Sequence, residues 1–166
     1  MSKDEAERLR FWSGRKNAFP AAGRISPDYY CMDGTIPRRS LGRMLAAIAE
    51  MEHTYQLRCM NVFHAGDGNL HPNIPYDPRE PGATERVHAA MSEIMRACIA
   101  IGGTITGEHG VGLDKMDYMP ALFDDNTLAV MCAVRDVFDP ERRANPGKVV
   151  PVKSCREWHG STGHRA

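Results

Sequence analysis

The feature that most constrains the fold is a polar, glycine-rich turn between two extended stretches near the middle of the chain. Residues 57–64 (LRCMNVFH) have the composition of a β-strand, and residues 70–76 (LHPNIPY) form a second extended stretch. The residues between them, GDGN at 66–69, are types that tolerate a tight backbone turn. The pattern therefore predicts an antiparallel β-hairpin.

Apolar residues recur at helical spacing on both sides of this hairpin. The predicted helices cover residues 3–16 with an end near Ala18, residues 38–55, residues 84–101, and a last segment that Asp125 or Asn126 caps and that ends at Phe138. The aromatic segment at 28–32 (DYYCM) predicts a short strand, and the prolines and glycine before it predict a loop. This alternation predicts an α+β domain, in which helices back one face of a small antiparallel sheet.

Composition excludes several classes of protein. The 166-residue chain balances 21 Lys and Arg against 21 Asp and Glu, which gives no support for a nucleic-acid footprint or a polybasic membrane anchor. Its charged start has no signal-peptide core, and no apolar run approaches the ~20 residues of a transmembrane helix. The five cysteines are scattered without a C-x-x-C pair, so we expect free thiols in a reducing compartment. A soluble, cytoplasmic domain over residues 1–151 is predicted, with a polar tail at 152–166.

Two loops are rich in glycine, histidine and acidic residues, and the hairpin turn is the first of them. His64 and His71 flank the turn in HAGDGNLHP, on adjacent strands near the same end, so that their imidazoles can converge. Two neutral imidazoles and a carboxylate suit zinc, manganese or ferrous iron. Two histidines alone do not specify a metal, and histidines that pack in the core or bond to the turn are the alternative.

The second loop is GGTITGEHGVG, at residues 102–112. Glycines on both sides of Glu108 and His109 permit sharp turns and a close approach to a ligand. Glu108 could complete a His/His/Glu site while His109 faces a substrate as a general base. The alternative is a structural connection whose Glu and His face solvent. Neither a phosphate-binding G-x-x-x-x-G-K-[ST] loop nor an H-E-x-x-H helix is present in the sequence.

Three motifs in order and spacing, HAGDGNLHP, GGTITGEHGVG and DPERRANPGKVVP, resemble the C-terminal part of FAD-dependent 2-hydroxy acid dehydrogenases. RFWSGRKNAFPAAGRISPDYYCMDGTIPR adds to the likeness, which extends to about Trp158. Within this group the chain is most similar to glycolate-oxidase-type flavin subunits, in the vanillyl-alcohol-oxidase-like superfamily. The resemblance implies an N-terminal FAD domain and a C-terminal cap domain with a ferredoxin-like half, relative to which this chain is truncated.

The resemblance also implies roles for individual residues. His64, His71 and Glu108 would hold a divalent metal, zinc, manganese or iron. His109 would take the substrate hydroxyl proton as hydride passes to the flavin. Arg15 resembles the residue that binds the substrate carboxylate. The implied reaction oxidises glycolate or D-lactate to the 2-oxo acid.

The resemblance also concerns residues outside the proposed metal ligands, the base and Arg15. Asn73 is a weaker substrate contact by resemblance, and Asn145 and Lys148 of NPGK resemble residues near the flavin ring. Relatives that act on longer diacids carry a lysine where Cys31 stands here, and the missing cation fits a smaller acid such as glycolate or lactate.

The resemblance implies FAD held mainly by a domain absent from this chain, together with the divalent metal. The implied partners are an FAD-binding domain or subunit and an iron–sulfur subunit, in a complex peripheral to the inner membrane. A non-catalytic truncated remnant or a subunit-interaction domain is the alternative function. A stand-alone His/His/Glu metal hydrolase is disfavoured, because the sequence has no other hydrolase signature.

Overall fold

A computed structural model describes residues 2–151, in which helices and strands alternate along the chain. The α-helices in this range are α1 (Glu5–Lys16), α2 (Ala18–Ala22), α3 (Leu41–Tyr55), α4 (Ala83–Ala100), α5 (Met119–Leu122) and α6 (Asp125–Phe138). The strands are β1 (Asp28–Cys31), β2 (Gly34–Thr35), β3 (Met60–His64) and β4 (Asn69–Tyr76). The predicted α+β architecture and the central hairpin, β3 and β4, are confirmed.

The long strand β4 lies at the centre of an antiparallel sheet. Its hairpin partner β3 pairs along one edge, and β1 and β2 pair in succession along the other. β1 and β2 keep one continuous register against β4, with Cys31 opposite Asn73 and Gly34 opposite Leu70. Asp33 lies in the break between the two strands. The register therefore brings it opposite His71 of β4.

Helices α3 and α4 cover one face of this sheet and form the main core with it. Leu70 and Ile74 of β4 are buried on this face. The helix α4, predicted over residues 84–101 from its apolar spacing, buries an apolar stripe that consists of Val87, Ala90, Met91, Ile94, Met95 and Cys98. Each large apolar side chain buried in this way contributes about 1.5–3 kcal/mol. The main core therefore lies on the face of the sheet that α3 and α4 cover.

A smaller apolar cluster joins α5, α6 and the segments beside them. Its buried members are Ile105, Met119, Leu128, Cys132 and Val150. The helix α6 is capped one residue earlier than predicted, because the side chain of Asp124 accepts a hydrogen bond of 2.7 Å from the backbone N–H of Thr127. No helix among residues 2–151 is long and apolar enough to cross a membrane.

The structure differs from the sequence-based expectations at several points. The segment predicted as a loop after α1 contains α2, and the two short elements β2 and α5 were not predicted. The helix predicted at residues 3–16 is present as α1, and its apolar residues Leu9, Phe11 and Trp12 are exposed.

The expectation of free thiols is correct only in part. Cys31, Cys59 and Cys98 are free, but Cys132 is disulfide-bonded. Scattered cysteine spacing therefore does not exclude a disulfide, which is why the expectation was wrong for Cys132. The predicted tail at 152–166 lies outside the described residues.

The hairpin turn depends on glycine at one of its two glycine positions. Gly68 has a φ of 85°, and its carbonyl accepts a hydrogen bond of 3.1 Å from the N–H of Ile36. A Cβ at position 68 would overlap the carbonyl oxygen of Ile36, whereas a Cβ at Gly66 would meet no atom within 4 Å. The turn is therefore closed against the segment that follows β2, and only Gly68 allows this approach.

We expect Gly68→Ala to lower the free energy of unfolding by about 1–3 kcal/mol, because it adds both a strained φ and a steric overlap. Gly66→Ala is the matched control in the same turn and should change stability by no more than about 0.5 kcal/mol. Urea unfolding of the two variants and the parent chain measures the difference. Equal stabilities of the two variants would show that the turn does not need glycine at position 68.

Candidate active site

The sheet face opposite the helices is polar. Side chains alternate along β4, so that Asn69, His71 and Asn73 point away from the core that buries Leu70 and Ile74. These three polar residues are nevertheless buried. The chain after α4 returns across this face against Asn69 and His71, and Asn73 lies between β1 and β3. The alternation of side chains along β4 therefore places these buried polar residues on one face of the sheet.

The returning segment is held at its start by Thr104, which exchanges backbone hydrogen bonds of 2.7 and 3.0 Å with Thr35 of β2. It then passes over β4 so closely that a Cβ at Gly107 would lie 2.5 Å from Oδ1 of Asn69. Glycine at this position lets the backbone lie against the sheet. The next two residues, Glu108 and His109, consequently lie above the end of the hairpin.

His64, His71 and Glu108 converge in the structure. Each offers one ligand atom, and these atoms all lie within 4.8 Å of one another. The two histidine rings meet edge to face with centroids 5.4 Å apart, and Nε2 of His71 lies 2.9 Å from Oε1 of Glu108. The hairpin supplies both imidazoles because its register puts positions 64 and 71 on the same face of adjacent strands.

The protonation of His71 suits a metal ligand. Burial lowers the pKa of His71 below its usual value; the imidazoles of His109 and His64 add to this, while the carboxylate of Glu108 opposes it. A neutral imidazole is the form that binds a metal ion. The buried Nδ1 of His71 and Oδ1 of Asn73 have no hydrogen-bond partner within the described structure. Two imidazoles, a carboxylate and unsatisfied polar atoms fit a divalent cation and its ligands.

His109 lies beside this cluster. Its ring centroid is 5.1 Å from that of His71, its Nε2 is 3.6 Å from Oε1 of Glu108, and its Nδ1 is 3.7 Å from Oδ1 of Asp33. The side chain of His71 is 4% exposed, whereas those of Glu108 and His109 are 51% and 46% exposed. The cluster therefore has a buried side on the sheet and an open side on the loop, where a small molecule can reach His109.

Asp33 and Lys115 are the residues at this site that sequence reasoning missed. Asp33 is fully buried, and its carboxylate pairs with the equally buried ammonium of Lys115. Oδ2 of Asp33 accepts hydrogen bonds from the backbone N–H groups of Gly107, Glu108 and His109 at 2.5, 2.7 and 3.2 Å. The available signal was an acidic residue within an otherwise strand-like segment, YYCMDGTI.

These contacts keep Asp33 charged. Burial by itself would raise the pKa of Asp33, but the hydrogen bonds from Lys115 and from the loop backbone outweigh it and hold the pKa far below its usual range. A carboxylate with such partners is ionised throughout the pH range in which proteins are ordinarily studied.

The remaining predicted site residues lie at different distances from the cluster. Asn73 is buried next to it, and its amide nitrogen donates a hydrogen bond of 2.8 Å to the carbonyl of His71. Arg15 is exposed in α1, and no hydrogen bond or ion pair within residues 2–151 joins it to the cluster.

Asn145 and Lys148 lie on a separate part of the surface, beside α6. Their carbonyls accept hydrogen bonds from the guanidinium of Arg135 at 2.8 and 2.9 Å. The structure brings these two residues together with each other and with the apolar side of α6, lined there by Val130, Val134 and Phe138. No hydrogen bond or ion pair among the described residues links them to the histidine cluster.

The sequence profile described as "FAD linked oxidases, C-terminal domain" matches residues 1–149. The chain is 51% identical over 168 residues to glycolate oxidase subunit GlcD of Escherichia coli K12, an alignment that covers 99% of this chain and 34% of the relative. It is 37% identical over 148 residues to GlcD of Bacillus subtilis, covering 89% of this chain and 32% of the relative.

A mitochondrial D-lactate dehydrogenase [cytochrome] of Arabidopsis thaliana is 30% identical over 158 residues, which cover 93% of this chain and 28% of that protein. The chain thus spans about a third of the length of the curated relatives it matches. The family profile extends over nearly all of the residues that build the sheet, the helices and the cluster. The chain therefore belongs to the family of FAD-linked oxidase C-terminal domains.

Proposed function

We propose that this chain is the substrate- and metal-binding part of an FAD-dependent dehydrogenase that oxidises glycolate or D-lactate to the 2-oxo acid. The observation that carries the proposal is the convergence of His64, His71 and Glu108 within 4.8 Å, with His109 beside them on the open side. The relatives whose names specify glycolate oxidase and D-lactate dehydrogenase support the substrate class. Glycolate is the first choice, because the more similar relatives carry that name.

His64, His71 and Glu108 would hold a divalent metal, and the donor set suits zinc, manganese or ferrous iron. When bound, such a metal lowers the pKa of a coordinated hydroxyl, and FAD accepts the hydride released by the oxidation. The neutral, buried His71 is fixed by the sheet, whereas Glu108 supplies the negative charge from the loop.

His109 is the proposed base. Its imidazole is partly exposed and faces the same open side as Glu108, so that it can accept the hydroxyl proton of a substrate seated there. Asn73 would offer its unpartnered Oδ1 to the substrate, since its amide nitrogen is engaged by backbone carbonyls. The guanidinium of Arg15 would bind the substrate carboxylate; this role rests on the motif around it, RFWSGRK.

The proposed enzyme needs FAD on a further domain or subunit, because the chain corresponds to about a third of its relatives. The surface beside Asn145 and Lys148 is a candidate contact surface for this FAD-bearing part. Val134, Phe138 and Val149 are exposed apolar residues next to those two polar ones. An exposed apolar patch of this kind is typical of an interaction surface. An iron–sulfur subunit and a location at the periphery of the inner membrane remain parts of the proposal that rest on the family resemblance.

The metal site is tested first on this chain by calorimetric titration with Zn²⁺. We expect one equivalent to bind, and Glu108→Gln and His71→Ala each to weaken the affinity at least about tenfold, because a ligand atom is lost. Glu108→Gln matters most, since the exposed Glu108 can be replaced without disturbing the core.

His53→Ala is the matched control. His53 is exposed in α3, which lies on the opposite face of the sheet. Its replacement should leave the zinc affinity unchanged. Loss of affinity in the control equal to that in Glu108→Gln, or a parent chain without stoichiometric binding, would contradict the ligand assignment.

The role of His109 is tested in the enzyme assembled with its FAD-bearing part. His109→Gln removes the proton acceptor but none of the proposed metal ligands. We therefore expect kcat to fall by a factor of about 10² or more while the metal content is retained. Steady-state oxidation of glycolate together with elemental analysis gives both quantities. Wild-type turnover by His109→Gln would remove His109 from the proton-transfer step.

Position 31 is proposed to set substrate length. Cys31 is half-buried and lies opposite Asn73 in the sheet, on the same polar face as the cluster. In the assembled enzyme, Cys31→Lys should raise kcat/KM for 2-hydroxyglutarate relative to glycolate by about tenfold, the effect of one new charge-assisted hydrogen bond. Tyr29→Lys, two residues away on the same face of β1, is the control. An unchanged ratio in Cys31→Lys, or the same shift in both variants, would contradict the assignment.

A further inference from the structure

We infer that the buried pair Asp33 and Lys115 positions the loop ligand of this site. The pair fixes the backbone of residues 106–109 and so places Glu108 against His71 and His109 beside it. The inference rests on the proposed function, in which Glu108 is a metal ligand and His109 the base. Neither Asp33 nor Lys115 is expected to touch the metal or the substrate.

The loop has little conformational preference of its own. Gly107 and Gly110 flank the two functional residues, and Gly110 has a φ of 83°. Glycines widen the range of accessible backbone conformations, so an ordered loop needs contacts from outside itself. Thr104 anchors its beginning to β2, but that anchor lies several residues before Glu108.

Asp33 supplies the missing contacts. One of its oxygens accepts the backbone N–H groups of three consecutive residues, 107 to 109, and the hydroxyl of Thr106 donates to both oxygens at 3.1 and 3.2 Å. Consecutive N–H groups that converge on one anion hold the backbone in a single curved conformation. The backbone of residues 107–109, which carries Glu108 and His109, thus curves around the buried carboxylate of Asp33.

Lys115 completes this arrangement from the far end of the loop. Its ammonium group pairs with the Asp33 carboxylate and also donates a hydrogen bond of 2.8 Å to the Asp33 carbonyl oxygen. Both side chains are buried, so each neutralises a charge that would otherwise be unpaired away from water. The two charges also tie residue 115 to the strand break at residue 33.

The donors occupy the Asp33 carboxylate fully. Oδ2 is engaged by the loop backbone and Thr106, and Oδ1 by Thr106 and Lys115. A carboxylate has about four lone-pair directions, which leaves none for a metal ion. Asp33 is therefore separate from the ligand set and acts through the loop. Partners of this kind, which orient a ligand without binding the metal, typically change metal affinity 10–100-fold.

The experiment compares Asp33→Asn with two supporting variants in this chain. Asp33→Asn/Lys115→Met removes both buried charges together, which avoids a lone buried ammonium. Thr106→Val removes the hydroxyl that donates to Asp33 and that also accepts a hydrogen bond of 2.9 Å from the N–H of Gly110. Ser26→Ala is the control, because it removes a hydrogen bond between Ser26 and the carbonyl of Tyr76 at the opposite end of β4. Amide hydrogen exchange at residues 107–109 and the Zn²⁺ dissociation constant are measured for each folded variant.

We expect exchange at residues 107–109 to accelerate at least about tenfold in Asp33→Asn and in the double variant, with a 10–100-fold weaker zinc affinity. Thr106→Val should show the same changes to a smaller degree. Ser26→Ala should change neither quantity, even where it lowers global stability. Should Asp33→Asn not fold, the double variant decides the question, because Thr106→Val also loses the hydrogen bond from Gly110.

Two results would overturn the inference. One is unchanged exchange at residues 107–109 in the folded variants, which would show that Asp33 does not fix the loop. The other is accelerated exchange with unchanged zinc affinity, which would show that the fixed loop does not place Glu108. A parent chain that binds no zinc would refute the proposed metal site instead, and the exchange rates would still decide whether Asp33 holds the loop.

Discussion

The alternation of side chains along β4 is the constraint on which the rest of the structure depends. Leu70 and Ile74 face the helices and lie in the core, while His71 and Asn73 face the loop that crosses the other side. A register shift of one residue would exchange the two sets, placing the polar side chains in the apolar core. The packing that stabilises the sheet therefore also fixes the positions of the site residues, and Gly68 closes the turn that sets this register.

The parts that could be predicted from the sequence are those in which residues close in sequence are also close in space. The predicted hairpin turn put His64 and His71 on adjacent strands near the same end, and helical periodicity identified α4, whose apolar stripe is buried. The expectation that Glu108 joins these histidines needs more than local patterns, since the loop comes from a distant part of the chain. Family resemblance, rather than periodicity, made that expectation specific.

The buried pair of Asp33 and Lys115 and the disulfide of Cys132 were not predicted, because they depend on tertiary contacts that no local sequence pattern indicates. Asp33 and Lys115 are 82 positions apart, and neither stands out as buried from its neighbours in the sequence. The disulfide of Cys132 was likewise hidden by scattered spacing. For α1 the predicted helix is present, and its apolar residues Leu9 and Trp12 are exposed within the described structure. Periodicity predicts that a face is apolar but does not identify the surface that covers it.

The exposure of the site residues is uneven, as the proposed enzyme requires. The proposed ligand from the sheet, His71, is almost fully buried, whereas the loop residues Glu108 and His109 remain about half exposed. Hydride transfer to a flavin requires that substrate and cofactor meet with water excluded, because water weakens every electrostatic interaction at the reacting atoms. This chain closes the sheet side of the site and leaves the loop side open. In the proposed enzyme, the FAD-bearing part would therefore have to cover Glu108 and His109, and the rigid loop held by Asp33 would present both residues to it in a fixed direction.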